Sequence, residues 1–472
     1  MRHQDPVCNA GERIHADDLF RALQWVTAHI TWSRIAWRAE CTWTPRWLVC
    51  AALLWAWSDE KTLTDRFRIA RKIICRLRGD QEQPAASYQA FIKLLRRWTE
   101  PLRELLTEAF RQRAQKSLGK VWKVAGWLVL AIDGSRLDVA RTRRNEQRYS
   151  PKSKLSRAAQ RRRRARRSRR RTQQESRERK ANIPCVWLTM LWHVGSGLPW
   201  SWRADAADSS ERGHLQQMLS DLSDPSLITA DAGFVGYDVW KTLLDAGHHL
   251  LIRVGSNVRL LKDLGYARQR RGLVYLWPDQ KAQAQLPPLV LRLIEIHNGR
   301  HPIYLVTSVL DVGQLSDAES AKIYRRRWGI ELFYRHCKQT FERRKLRSHN
   351  PDNVMIELHW SLLGMWAMGL HSHRHLLHRG VLPERVSFAG VLRAYRRSMR
   401  EYKSPPDPGE RLTELLNVAI LDDYQRTDKR SRDYPRKKQE TATGPPLIRI
   451  ATSPQRALAQ QLKAKHKTRL TA

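Results

Sequence analysis

Two aspartates follow short apolar runs. Asp133 closes the run in "WLVLAIDGS", and Asp231 closes the run in "SLITADAGF". A third acid, Glu331, lies in "YRRRWGIELFYRHCK", which spans Tyr324 to Lys338. A lone Asp after a strand is ordinarily a turn former or helix cap. In an open sheet, however, groups at the carboxyl ends of strands project into the crevice where ligands bind. Two such acids with a third on a later helix make an all-oxygen donor set. Such a set holds two hard divalent cations roughly 3.5–4 Å apart, the arrangement used for in-line phosphoryl transfer. Mg²⁺ is the default for these ligands and Mn²⁺ an acceptable substitute.

Glu331 is a single acid among five basic residues, Arg325, Arg326, Arg327, Arg335 and Lys338. At about 100° per residue, with Tyr324 at zero, Arg327 falls near roughly 300°, Glu331 near 340° and Lys338 near 320°. The four share one stripe of a helix, while Ile330, Phe333, Cys337 and Phe341 occupy the adjacent apolar face. A carboxylate in line with a phenol, a guanidinium and an ammonium suits a metal ligand flanked by phosphate clamps, since Arg binds phosphate bidentately and Lys acts as a point charge. A solvated face with an i,i+4 Arg327–Glu331 pair has the same pattern.

The surrounding segments must hold these residues in place. Residues 1–120 carry apolar residues at helical spacing and read as a helical, DNA-binding domain. Its stretch from Thr62 to Trp98 is compatible with a helix-turn-helix reader of DNA and equally with an ordinary basic bundle. From Val121 strands and helices alternate, which predicts an α/β catalytic core with a mixed sheet over 121–255 and 311–400. The "GSG" of Gly195–Gly197 reads as a hairpin turn. Residues 256–310 read as a β-rich insertion. From Leu315 to Leu346 the pattern predicts one long helix, opened by a capping box of Ser316 and Glu319. A second, strongly apolar helix follows and is expected to pack on the sheet. Residues 401–472 read as a basic, flexible tail.

The 472-residue chain carries a net charge of +40. An excess of that size calls for a polyanion, and nucleic acid is the expected partner. Its longest apolar run, Trp47 to Trp57, is too short to span a bilayer, so no membrane partner is expected. Six cysteines without a C-x-x-C pair point to reduced thiols rather than a disulfide or zinc framework. A cytoplasmic location, associated with nucleic acid, is the expectation. The block 152–180, "KSKLSRAAQRRRRARRSRRRTQQESRERK", is a low-complexity basic insertion suited to phosphate contact without sequence readout.

The spacing Y-(2)-R-(3)-E-(6)-K of Tyr324, Arg327, Glu331 and Lys338 resembles the YREK motif of a hairpin-forming branch of DDE transposases from bacterial insertion sequences. "AIDGSR" and "TADAGF" resemble that family's first and second aspartate motifs. The resemblance covers about Val121 to His375. It implies a ribonuclease H-like core with a β insertion before the glutamate helix. Asp133, Asp231 and Glu331 would then be the catalytic, metal-binding acids for two Mg²⁺ (or Mn²⁺) ions. Tyr324, Arg327 and Lys338 would hold DNA phosphates. The implied partners are double-stranded DNA, as terminal inverted repeats and as target, and a second copy of the chain on paired ends. The implied reaction is cut-and-paste transposition by transfer of a 3′-hydroxyl strand. A transposase-derived DNA-binding protein without cleavage, or a metal-dependent nuclease without strand transfer, are the alternatives. Relatives use a Trp of the insertion to hold a flipped base, a role for which Trp277 is a candidate. His371, His375 and His378 share a helical face that reads as a DNA-facing helix end, and Cys185 reads as a core thiol.

Overall fold

The computed structural model describes residues 18–28, 30–37, 41–79, 84–151, 183–297, 302–400, 402, 407, 409–422 and 444–470. The basic block 152–180 lies outside the described residues. In the N-terminal third, α1 (Asp18–Thr27), α2 (Pro45–Trp57), α3 (Leu63–Arg78) and α4 (Tyr88–Ser117) follow one another. The starts of α2 and α3 are fixed by threonine caps, with Thr44 accepting from the Trp47 N–H and Thr62 from the Asp65 N–H.

Among the described residues the chain then builds one eleven-stranded mixed sheet. In chain order its elements are β1 (Leu128–Val139), α5 (Arg143–Tyr149), β2 (Cys185–His193), β3 (Leu198–Ala206), α6 (Glu211–Met218), β4 (Ser226–Ala230), α7 (Tyr237–Asp245), β5 (His249–Val254), β6 (Arg259–Lys262), β7 (Leu273–Leu276), β8 (Leu289–His297) and β9 (Pro302–Thr307). Next come α8 (Asp317–Arg326), α9 (Gly329–Arg335), β10 (Lys345–Leu346), α10 (Pro351–His378), α11 (Phe388–Arg400), β11 (Leu447–Ile450) and α12 (Ser453–Leu470). The strand order is β11-β6-β7-β8-β9-β5-β4-β1-β2-β3, with β10 also pairing β1. Strands β6 to β9 widen the same sheet on the β5 side. β11 and α12 belong to the C-terminal stretch that its composition marks as flexible. They are ordered here because β11 pairs in parallel with β6, and Ala459 and Leu462 of α12 are buried against the sheet.

Alternation along β1 decides what each face receives. Val129 and Ala131 join a core shared with α1 to α4 and with α8 to α11, while Leu128, Leu130 and Ile132 join a second core with α6 and α7. The N-terminal helices thus share a continuous core with one face of the sheet. Between them lies α10, apolar on all sides and buried through most of its length. It packs chiefly on α2 and α4 and also meets β3. Indole hydrogen bonds lock it there, from Trp57 Nε1 to the Gly364 carbonyl (2.8 Å), from Trp360 Nε1 to Thr99 (3.0 Å) and from Trp202 Nε1 to His359 (2.9 Å).

Three expectations are corrected. Asp133 is not at the end of its strand, because β2 pairs with β1 from Leu130 to Asp138 and carries it onward. What ends early is the pairing with β4, at Ala131↔Thr229, and β10 joins only at Asp138. Ile132 to Leu137 therefore have a strand partner on the β2 side alone among the described residues. The predicted single helix is also uneven. The capping box of Ser316 and Glu319 opens it, but i→i+3 bonds tighten it around Arg327–Glu331, and a wide π turn replaces the α-helix over His336–Thr340. Finally, His371 is buried and hydrogen-bonded to Tyr395 (2.8 Å), and His375 pairs with Asn417 (2.7 Å). Packing of α11 and the following segment covers these two rings, while His378 of the same face is exposed.

Candidate active site

Asp133 and Asp231 stand at the open edge of β1, and Glu331 lies on the helix above it. Asp133 has the same parity as Val129 and Ala131, so its side chain rises on the face covered by α8 and α9. Asp231 immediately follows β4, whose end lies beside that edge. It caps a single 3₁₀ turn, with Oδ1 accepting from the Gly233 N–H at 2.8 Å. The turn-forming role open to any such Asp is thus real for one of its oxygens. Helix α9 is pinned above β1 by Tyr334, whose hydroxyl donates to the Asp133 carbonyl at 2.8 Å. Gly329 lets the helix come this close, since a Cβ there would sit 2.1 Å from the Trp192 ring.

This brings the helix stripe over the acids despite the uneven winding. Arg327 Nη2 donates to Glu331 Oε1 at 3.1 Å, and its guanidinium lies 5.3 Å from the centre of the Tyr324 ring. Arg327 is only 7% exposed, and its Nε has no hydrogen-bond partner among the described residues. A buried, unsatisfied N–H of a cation is costly and marks a place for an acceptor. Lys338, from the π turn, donates to Ser135 Oγ at 2.7 Å. Ser135 lies two residues along β1 from Asp133 and therefore on the same face. Beyond Lys338 opens a cleft of about 540 Å³, lined in part by Gln339, Glu342, Arg344, Lys345 and Arg347. Among the described residues, no hydrogen bond or ion pair is formed by the side chains of Arg344, Lys345 or Arg347.

The electrostatics follow from this crowding. Burial pushes the Asp133 carboxyl from 3.8 up to about 6; the Gly134 N–H and Arg327 oppose the rise, and the charges of Asp231 and Glu331 add to it. Burial likewise raises the Tyr324 phenol, against the pull of Arg327 and Arg253. Burial lowers the Lys338 ammonium.

A fourth acid, Glu211, escaped the sequence reading. Its carboxyl is raised from 4.5 to about 7, by burial first and then by the charges of Asp133 and Asp231. It is the first residue of α6, on the opposite face of β1, and nothing in "SSERGHL" distinguishes it from an ordinary first-turn acid beside its Ser210 cap. Trp277, considered for holding a base, is buried with its indole N–H on the Leu286 carbonyl (2.8 Å) and presents no free face. Cys185 is a buried free thiol.

The donor chemistry fits a hard divalent cation: the groups are carboxylates, and burial and mutual repulsion hold two of them above their ordinary range. A cation between them would relieve both effects. As they stand, no three His, Cys, Asp or Glu side chains among the described residues are close enough to enclose an ion. Glu331 is instead satisfied by Arg327. Among the described residues no helix is long and apolar enough to cross a membrane.

Residues 127–366 match the family model described as the transposase DDE domain. The transposase InsG for insertion sequence element IS4 of Escherichia coli (strain K12) is 26% identical over 248 residues, covering 49% of this chain and 54% of that protein. The chain thus spans about half the length of this curated relative. A solved structure, the piggyBac transposase synaptic complex with hairpin DNA, aligns with a TM-score of 0.40 at 12% identity, over 89% of this chain and 88% of that one.

Proposed function

Since the chain belongs to the transposase DDE domain family, we propose that it cuts the ends of an insertion sequence and transfers the freed 3′-hydroxyl strand to target DNA. What supports this reading is the mutual influence of Asp133, Asp231 and Glu331 beside Arg327, whose buried Nε–H has no partner among the described residues. In this reading the core is ribonuclease H-like, preceded by an N-terminal DNA-binding domain, and the chain acts as a homodimer on paired ends.

Asp133, Asp231 and Glu331 would hold two divalent cations, Mg²⁺ by default. When bound, these ions supply an activated nucleophile and neutralise charge at the attacking and leaving oxygens. The protein does the rest. Arg327 presents its free N–H to a phosphate oxygen while fixing Glu331 in place. Tyr324 buttresses Arg327 through its ring. Lys338, already desolvated and held at Ser135, meets a neighbouring phosphate of the same strand. Arg344, Lys345 and Arg347 continue the positive lining, so the strand leaves the acids along that cleft. The YREK spacing of Tyr324, Arg327, Glu331 and Lys338 supports a hairpin-forming reading, in which the 3′-hydroxyl first closes on the opposite strand.

The test uses linear DNA bearing the sequence that flanks the gene on both sides. Glu331→Gln is expected to abolish Mg²⁺-dependent cleavage and to leave DNA binding within a few-fold of wild type. Cleavage that persists in Glu331→Gln removes the acid assignment. Cleavage by the wild type without joined products makes the protein a nuclease.

A further inference from the structure

Helix α6 approaches β1 from the face opposite α9, and its first two residues reach both aspartate motifs. Glu211 lies directly over Gly134. A Cβ at position 134 would stand 2.1 Å from Glu211 Oε1, 2.6 Å from its Cδ and 2.9 Å from its Cγ. The carboxylate thus occupies the place that any other residue after Asp133 would fill. Arg212 next to it donates from Nε (3.1 Å) and Nη2 (2.9 Å) to the carbonyl of Gly233, two residues beyond Asp231. The far side of the helix is fixed as well, with His214 bonded to Thr189 of β2 at 2.9 Å and Leu215 and Met218 in the core. A first-turn glutamate needs none of this to serve its own helix. Beside it, β1 lacks a strand neighbour on the β4 side from Ile132 to Leu137 among the described residues.

From this juxtaposition we infer that Glu211 is a fourth carboxylate of the divalent-cation site, bound to the same ion as Asp133 and admitted by the missing side chain of Gly134. The inference rests on the cation site proposed above. It adds a donor from α6, so the site is closed by oxygens from both faces of the sheet. Arg212 is a positioning residue that ties this donor to the Asp231 turn.

The experiment titrates Mn²⁺ into the DNA-free full chain and reads unbound ion by electron paramagnetic resonance. Far-ultraviolet circular dichroism and melting temperature serve as fold controls. Glu211→Gln is expected to weaken Mn²⁺ binding by about 10–100-fold, the usual effect of losing a partner of a metal site. Gly134→Ala, which keeps the carboxylate but displaces it, should weaken binding similarly. In a Glu211→Ala background, where the three nearest atoms to the new Cβ are gone, Gly134→Ala should change nothing further. Wild-type affinity in both Glu211→Gln and Gly134→Ala, alongside a large loss in Asp133→Asn, overturns the role of Glu211 and leaves the three-acid site standing. Unchanged affinity in Asp133→Asn overturns the cation site itself. Equal effects of Gly134→Ala with and without Glu211 also overturn the inference, since they trace to backbone packing alone.

Discussion

The raised carboxyl of Asp133 makes a stability experiment decisive. A group that binds its proton more tightly folded than unfolded stabilises the fold only while protonated. Its contribution is complete below about pH 4 and is lost as pH rises through the folded value of about 6. At pH 8 the metal-free wild type therefore carries a buried charge that Asp133→Asn does not. The displacement from 3.8 to about 6 is roughly two pH units, or about 3 kcal/mol at 1.36 kcal/mol each. Asp133 is only half-buried, and solvent screening brings the figure to about 1–3 kcal/mol. Asparagine keeps an oxygen for the Gly134 N–H, so little else changes. In EDTA at pH 8 the variant should melt a few degrees above wild type, at about 2–4 °C per kcal/mol for a domain of 150–250 residues. At pH 4 the two should coincide. Millimolar Mg²⁺ should raise the wild type at pH 8 and leave the variant unmoved, because only the wild type gains by binding. A variant no more stable than wild type at pH 8, or equally favoured at pH 4, would refute the crowding of charge at this edge.

Two further outcomes follow from the surroundings of the site. Buried Glu357 accepts from the N–H groups of Arg347 and Ser348 and from the Ser348 hydroxyl, and it offsets the charge of buried Arg66 and Arg343. Glu357→Gln should cost about 3–5 kcal/mol in urea unfolding, since it strands cations out of water; a loss under about 1 kcal/mol would show that the arginines are balanced elsewhere. Removing 152–180 should flatten the dependence of DNA affinity on salt, by about 0.9 in log–log slope for each phosphate that the block neutralises; an unchanged slope in filter binding would mean that the block does not touch phosphate.

Much of this was legible locally. Helix spacing placed Tyr324, Arg327, Glu331 and Lys338 on one stripe because i→i+3 and i→i+4 neighbours meet whatever else the chain does. The tightened turn at Arg327 and the π turn at His336–Thr340 alter the winding between these residues, yet the stripe still faces β1. The apolar runs before Asp133 and Asp231 marked buried strands for the same local reason, that burial on both faces requires continuous hydrophobicity. Where β1 ends was not legible. Its continuation depends on β2 pairing across a connection that includes the block 152–180, and pairing partners leave no mark in the residues they pair. The fate of His371 and His375 was hidden likewise, because Tyr395 and Asn417 arrive from distant positions in the chain.

By itself, then, the amino-acid sequence determined the basic character of the chain, the α/β alternation, and three acids with a cationic stripe beside one of them. These are properties of composition and of periods shorter than eight residues. The tertiary structure decided that α10 would bind the N-terminal helices to the sheet, that β1 would lack a strand neighbour between β4 and β10, and that Glu211 would lie over Gly134. Such contacts depend on which surfaces are left unpaired once strands have chosen their neighbours. That choice is made by the packing of the whole sheet, not by any window of sequence around Glu211.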